Sequence, residues 1–228
     1  MQQRLSRDVA IGALILCCGV GAGLVAMRPS SEVRFEARLA QLEPDAALLK
    51  LHEAQGVITF SDNLELLYAR LLLADGDLEG ARQSVMRLLA RSPLSVATLD
   101  MLAEIEMVGG DLPRAIVALR RAYNAEPSAE RRSRLAGWYG ALRMTDAEYA
   151  LLASVTPTVL SRPEIDRLSL LLIKTGRISE YQDLLSGLAE GDGPDHLVFK
   201  RRWLEHLVES GRPADAVTAA SRWANGPN

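Results

Sequence analysis

A spacing of 34 residues recurs through the middle of the chain. Ala69, Gly76, Asp77, Leu78, Ala81 and Pro93 stand 34 positions before Ala103, Gly110, Asp111, Leu112, Ala115 and Pro127. A fixed period of this length means one supersecondary unit repeated, and such units stack because none buries its apolar face alone.

Each unit reads as two helices around a turn. Residues 63–74 are strong helix formers with almost no breakers. Asp75-Gly76-Asp77 supplies a tight reversal, because Gly and Asp suit left-handed and Asx conformations. Asp77 is placed to cap a second helix over 78–91, and Ser92-Pro93 stops it. The second copy repeats the order: helix 96–108, Gly109-Gly110-Asp111, helix 112–125, Glu126-Pro127. Ala69/Ala103 and Ala81/Ala115 fall where two antiparallel helices must come close.

This pattern resembles the tetratricopeptide repeat (TPR). That family carries a small residue, an alanine and a proline where this chain has Ala69, Ala81 and Pro93, then Ala103, Ala115 and Pro127. A later position, usually alanine, is Leu88 in one copy and Ala122 in the other. An aromatic often found early in the unit is replaced by Glu65 and Leu99. The resemblance covers 62–129 and implies an all-α, right-handed α-solenoid of TPR-like helix-turn-helix repeats.

Residues 62–95 and 96–129 are clear repeats, and 130–228 are degenerate ones. In 130–161, Gly137 is expected at the small position and Tyr149 stands where alanine is expected. A turn persists at Gly176-Arg177, with Ile178 echoing Leu112, and Gly211 to Ala216 mirrors Gly110 to Ala115. Five units are expected; the alternative is an irregular helical bundle after the second.

The other strong feature precedes the repeats. Residues 9–27 (VAIGALILCCGVGAGLVAM) are uncharged. A bilayer span needs roughly 17–25 apolar residues, whereas a signal peptide's apolar region has about 7–15. The length favours a retained transmembrane signal-anchor at 9–27 after a short cytoplasmic tail at 1–8. Cleavage after Leu24-Val25-Ala26 and a buried core helix are the alternatives. Arg4 and Arg7 precede the run and Arg28, Arg34 and Arg38 follow it, so basic residues set no clear orientation. A short basic tail before a long domain places the repeats beyond the membrane. The only lysines are Lys50, Lys174 and Lys200, and the Ala, Leu, Arg and Gly bias suits a GC-rich bacterial gene. That places the chain in a bacterial inner membrane, single-pass, with its repeats in the periplasm.

Both cysteines, Cys17 and Cys18, lie in the apolar run, which removes disulfide and zinc frameworks from the repeats. Gly19 and Gly23 form a GxxxG step, a route to self-association that a small-residue run also explains. Residues 28–61 read as a helical transition or cap: Val33, Phe35, Leu39 and Leu42 have helical spacing, Pro44 breaks it, and another helix runs from Asp45 to about Gln55.

The sequence offers little chemistry. His52, His196 and His206 form no HxxxH or HExxH spacing, and Glu205-His206 reads as a solvated surface pair. No GxSxG, P-loop or Cys–His arrangement is present. The chain is read as a non-enzyme with no cofactor or metal. With a net charge of −3 and bases mixed among acids, nucleic acid is not an expected partner.

The resemblance implies a concave groove lined by the first helix of each unit. Its residues would be Asn63, Leu66, Arg70, Leu73 and Ala74, then Ala97, Asp100, Glu104, Met107 and Val108, then Arg131, Arg134, Trp138, Ala141 and Leu142. The expected partner contacts are Arg70, Asp100, Glu104, Arg131, Arg134 and Trp138; Trp and Arg commonly anchor partners. Trp138 reads equally as core, and the run Arg131-Arg132-Ser133-Arg134 also reads as a solvated face. The carboxylate clamp of chaperone-binding relatives is not reproduced. The resulting expectation is a membrane-anchored scaffold that holds a partner peptide or helix within a cell-envelope assembly for secretion, pilus formation or polysaccharide export. A periplasmic chaperone with many clients, or a structural subunit of a large membrane machine, are the alternatives.

Overall fold

The computed structural model describes residues 31–39 and 41–225. The tail at 1–8, the apolar run at 9–27 and the expectations attached to Cys17, Cys18, Gly19 and Gly23 lie outside the described residues. Among the described residues no helix is long and apolar enough to cross a membrane.

The described chain is all-α, with twelve α-helices. They are α1 (Ser31–Leu39), α2 (Pro44–Ala54), α3 (Asp62–Asp75), α4 (Leu78–Arg91), α5 (Val96–Val108) and α6 (Leu112–Ala125). Then come α7 (Ala129–Ala141), α8 (Thr145–Ala153), α9 (Arg162–Lys174), α10 (Ile178–Glu190), α11 (His196–Glu209) and α12 (Pro213–Ala224). The chain divides between Ala90 and Arg91 into two compact units.

In the first unit, α1 and α2 precede one hairpin, α3/α4. Tyr68 anchors α3 to α2: its hydroxyl donates to Gln55 at 3.1 Å and lies 3.0 Å from His52 Nδ1. Phe60 meets the same ring edge-on at 5.9 Å. Arg87 Nη2 on α4 donates to Glu65 on α3 at 2.6 Å. Leu51, Leu64, Ala69, Ala81, Val85 and Leu88 form the buried interior. Full burial of one such leucine stabilises by about 1.5–3 kcal/mol.

The second unit carries four more hairpins: α5/α6, α7/α8, α9/α10 and α11/α12. Each helix packs on the next in sequence, the signature of a solenoid. One kind of turn closes all five hairpins among the described residues. Gly76, Gly110, Arg143, Gly176 and Gly211 each adopt a left-handed backbone, with φ of 88°, 80°, 55°, 72° and 74°. The amide after each one reaches back to the preceding helix: Asp77 to the Leu72 carbonyl at 2.9 Å, Asp111 to Glu106 at 2.8 Å, Met144 to Tyr139 at 2.8 Å, Arg177 to Leu172 at 2.9 Å and Arg212 to Leu207 at 2.8 Å. This is the Schellman closure, which satisfies carbonyls a helix end leaves open. Asp77 and Asp111 then cap the following helices through the amides of Gly80 and Arg114.

Counting from these turns corrects the register of the third unit. Seven residues before the turn stand Ala69, Ala103, Ala136 and Ser169, all buried. The small position is therefore Ala136, not Gly137, which is exposed. Five residues after the turn stand Ala81, Ala115 and then Glu148, not Tyr149. The third unit closes on Leu142-Arg143 rather than on Gly-Asp, one residue earlier than a strict 34-residue count places it.

Candidate functional site: a cleft beside paired arginines

Guanidinium–carboxylate pairs join the first helices of successive hairpins in the second unit. Arg131 on α7 donates to Asp100 on α5, Nη2 to Oδ2 at 2.8 Å. Arg132 on α7 grips Glu164 on α9, Nε to Oε1 at 2.9 Å and Nη2 to Oε2 at 3.0 Å. Arg202 on α11 donates to Asp166 on α9 at 2.6 Å. The second helices are linked as well, Tyr149 on α8 to Glu180 on α10 at 2.5 Å and Arg222 on α12 to Glu190 on α10 at 2.6 Å.

The Arg132–Glu164 pair is the deepest, with side chains 7% and 6% exposed. Ser133 Oγ, the Ser161 amide and Ser161 Oγ complete the shell of Glu164 at 2.9, 2.7 and 2.8 Å. Burial alone pushes this carboxyl up. The bonds from Arg132, Ser161 and Ser133 outweigh burial and bring it down to about 2. Ser161 and Glu164 also form a capping box at the start of α9.

Glu148 occupies a position that is alanine in the first two hairpins. Its side chain is 2% exposed, and both oxygens accept from Arg167 on α9, whose side chain is 40% exposed. Gly140 makes room for this pair, since a Cβ there would lie 3.1 Å from Arg167 Nη2.

Between α7, α8 and α9 these features bound a cleft of about 580 Å³. Its lining includes Ser133, Ala136, Gly137 and Gly140 from α7, Leu152 from α8 and Pro163 from α9, with Glu148, Glu164 and Arg167 on its walls. Relative to their turns, Ser133, Gly137 and Gly140 match Leu66, Arg70 and Leu73 of the first hairpin, positions that the TPR resemblance assigns to a groove. A Cβ at Gly137 would meet nothing within 4 Å. A row of small residues thus leaves this face of α7 short of side chains, while the buried charges on the cleft walls are already paired. Such a cleft holds an apolar side chain without leaving a charge unsatisfied.

The six contact residues expected from the resemblance fall in both units. Arg70 lies exposed in the first unit, and the other five lie in the second. Asp100 and Arg131 are spent on each other. Glu104 is exposed on α5. Arg134 sits 5.2 Å from the Trp138 ring centroid, and Trp138 packs at the edge of the cluster around Leu119, Leu135 and Tyr139. Trp138 is half-buried, between the core and groove readings. The turn-anchored register brings Gly137 and Gly140 to the positions expected of a groove, and glycine carries none of the signal that marks Trp or Arg as an anchor.

His206 differs from the solvated pair expected of it. It is half-buried, stacked on Trp203 at 5.8 Å, edge-on to Tyr181 at 5.2 Å and 3.1 Å from Gln182 Nε2. Among the described residues no group of three or more His, Cys, Asp or Glu could hold a metal.

No family model and no curated protein sequence matches the chain. Solved structures do. A chain of the Naa15/Naa10 complex bound to HypK matches with a TM-score of 0.60 at 15% identity over 83% of this chain, which spans 31% of that one. A tetratricopeptide repeat protein from Parabacteroides merdae matches with a TM-score of 0.55 at 14% identity, over 84% of this chain and 78% of its own. A point mutant of MamA matches with a TM-score of 0.50 at 15% identity, over 68% and 91% respectively. These likenesses establish the fold: an all-α solenoid of TPR-like repeats.

Proposed function

We propose that this chain is a membrane-anchored scaffold that captures a protein partner on the first-helix face of its second unit. The observation that carries this reading is the cleft at Gly137 and Gly140. Two groove positions have no side chain, in a hairpin whose neighbours are locked by buried ion pairs. A rigid surface with a preformed depression loses little conformational entropy on binding, and a partner helix or extended segment fits it by inserting one large apolar side chain. The Naa15/Naa10 structure bound to HypK has a similar fold within a protein assembly.

The uncharged run at 9–27 supports anchoring, and the Ala, Leu, Arg and Gly bias supports a bacterial source. The partner then belongs to an envelope assembly such as secretion, pilus formation or polysaccharide export, with the repeats in the periplasm. Arg134 and Trp138, stacked on each other on the same helix, supply a cation and an aromatic surface on α7 outside the cleft lining.

The test is capture of the full-length protein from its own membranes after mild crosslinking, with wild type and Gly137→Leu compared. One stoichiometric envelope partner retained by wild type and lost by the variant supports the reading. A broad, substoichiometric set of exported proteins favours the chaperone alternative, and equal capture by both removes the cleft from the account.

A further inference from the structure

The first unit carries an apolar surface that the repeats do not use. Phe35 of α1 lines a groove of about 520 Å³ with Ala54, Val57, Ile58 and the Lys50–Glu53 pair. Val57 stands at the tip of a tight turn in which Gln55 bridges Ile58 and Gly56 takes φ 84°. Val57 is 81% exposed and Ile58 43%. Two adjacent β-branched apolar side chains at the turn tip thus continue the apolar lining of the groove out to the surface, and a contiguous apolar patch of this kind marks a contact surface.

The chain's own geometry points to the occupant. The uncharged run ends at Met27, and α1 begins at Ser31. Four extended steps reach at most about 14 Å. Four helical residues from Ser31 to Phe35 add about 6 Å. The groove's α1 wall therefore lies within about 20 Å of chain from the end of the run, close to a headgroup layer that is itself about 5–7 Å deep. Lys50 Nζ donates to Glu53 at 2.6 Å, so the rim is neutral. Glu32 and Glu36 match Arg34 and Arg38 in number, so α1 carries no net charge.

We infer that the Val57-Ile58 tip and the groove behind it rest in the interfacial layer of the bilayer that holds residues 9–27. This contact fixes the first unit against the membrane and rests on the retained-anchor reading. It is apolar insertion rather than attraction to anionic lipid, and it persists in zwitterionic lipid and at high salt.

The experiment uses full-length protein in phosphatidylcholine nanodiscs, with tryptophan introduced singly and the parent chain's emission subtracted. Val57→Trp is expected to shift its emission to the blue and to be quenched by brominated lipid, with no change on adding salt. Val217→Trp, at an exposed site on the last hairpin, is expected to do neither. Leu16→Trp reports the anchor itself. Quenching of Leu16→Trp but not of Val57→Trp overturns this inference alone and leaves the turn tip to another occupant. Loss of both overturns the anchor and this inference with it. Should Val57→Trp lose its helical circular dichroism, Ile58→Trp gives the same reading.

Discussion

Arg132 and Glu164 lock the third hairpin to the fourth: two parallel N–H···O bonds of 2.9 and 3.0 Å join side chains that are almost wholly out of water. The pair flanks the cleft, since Glu164 forms part of its wall. A buried pair of this kind is weak evidence for net stability, but breaking it from one side is costly.

Arg132→Met leaves the Glu164 carboxylate buried and unpaired, and is expected to cost about 3–5 kcal/mol. The double variant Arg132→Met, Glu164→Leu is expected to recover much of that loss. Urea denaturation of the three proteins measures both. The pH dependence has a definite sign. The folded value of Glu164, about 2, lies below its ordinary 4.5. Its contribution is therefore full above pH 4.5 and is lost as the pH falls toward 2. Acid titration of wild type followed by circular dichroism is expected to show this loss, and the double variant is expected to show less of it.

Arg167 and Glu148 are expected to respond unequally to substitution. Arg167→Ala strands a carboxylate whose side chain is 2% exposed, whereas Glu148→Ala frees an arginine already 40% exposed. The arginine deletion is expected to cost about 3 kcal/mol or more, and the glutamate deletion distinctly less. Thermal melts rank them directly.

Arg143 bears a side chain in the left-handed turn position that is glycine in the other four hairpins. Arg143→Gly is expected to stabilise by about 1 kcal/mol, because only glycine adopts this conformation without steric cost. A higher urea midpoint at unchanged denaturant slope checks it.

Gly137→Leu separates binding from folding. Open space surrounds a Cβ at this position, and glycine inside a helix costs roughly 0.5–1 kcal/mol relative to alanine. The variant is expected to be at least as stable as wild type while filling the cleft and losing its partner.

The sequence made the helices legible to within one or two residues where turn chemistry was explicit. Asp75-Gly76-Asp77 and Gly109-Gly110-Asp111 announce both the reversal and the cap, and the expected helices 78–91, 96–108 and 112–125 match α4, α5 and α6. The third hairpin hid its register because Leu142-Arg143 carries no turn signature, so the small position slipped from Ala136 to Gly137. Glu148 was also illegible. A carboxylate sits at this helix crossing with its countercharge from Arg167, nineteen residues later, beside Gly140, eight residues earlier, where a Cβ would crowd the guanidinium. Asp100 and Arg131 looked like free groove charges because pairing across 31 residues leaves no local mark. The cleft is defined by side chains that are missing, and a search for reactive or anchoring residue types passes over it.

Site-specific photocrosslinking of the full-length protein in its own cells asks whether a partner sits on the first-helix face of the second unit. The photoreactive residue is placed in turn at Gly137, Ser133 and Leu170, and at the exposed α6 positions Val117 and Arg120. One discrete crosslinked protein is expected from the first three positions and none from the last two. Crosslinks of equal yield from all five, or from α6 alone, would contradict a partner on that face.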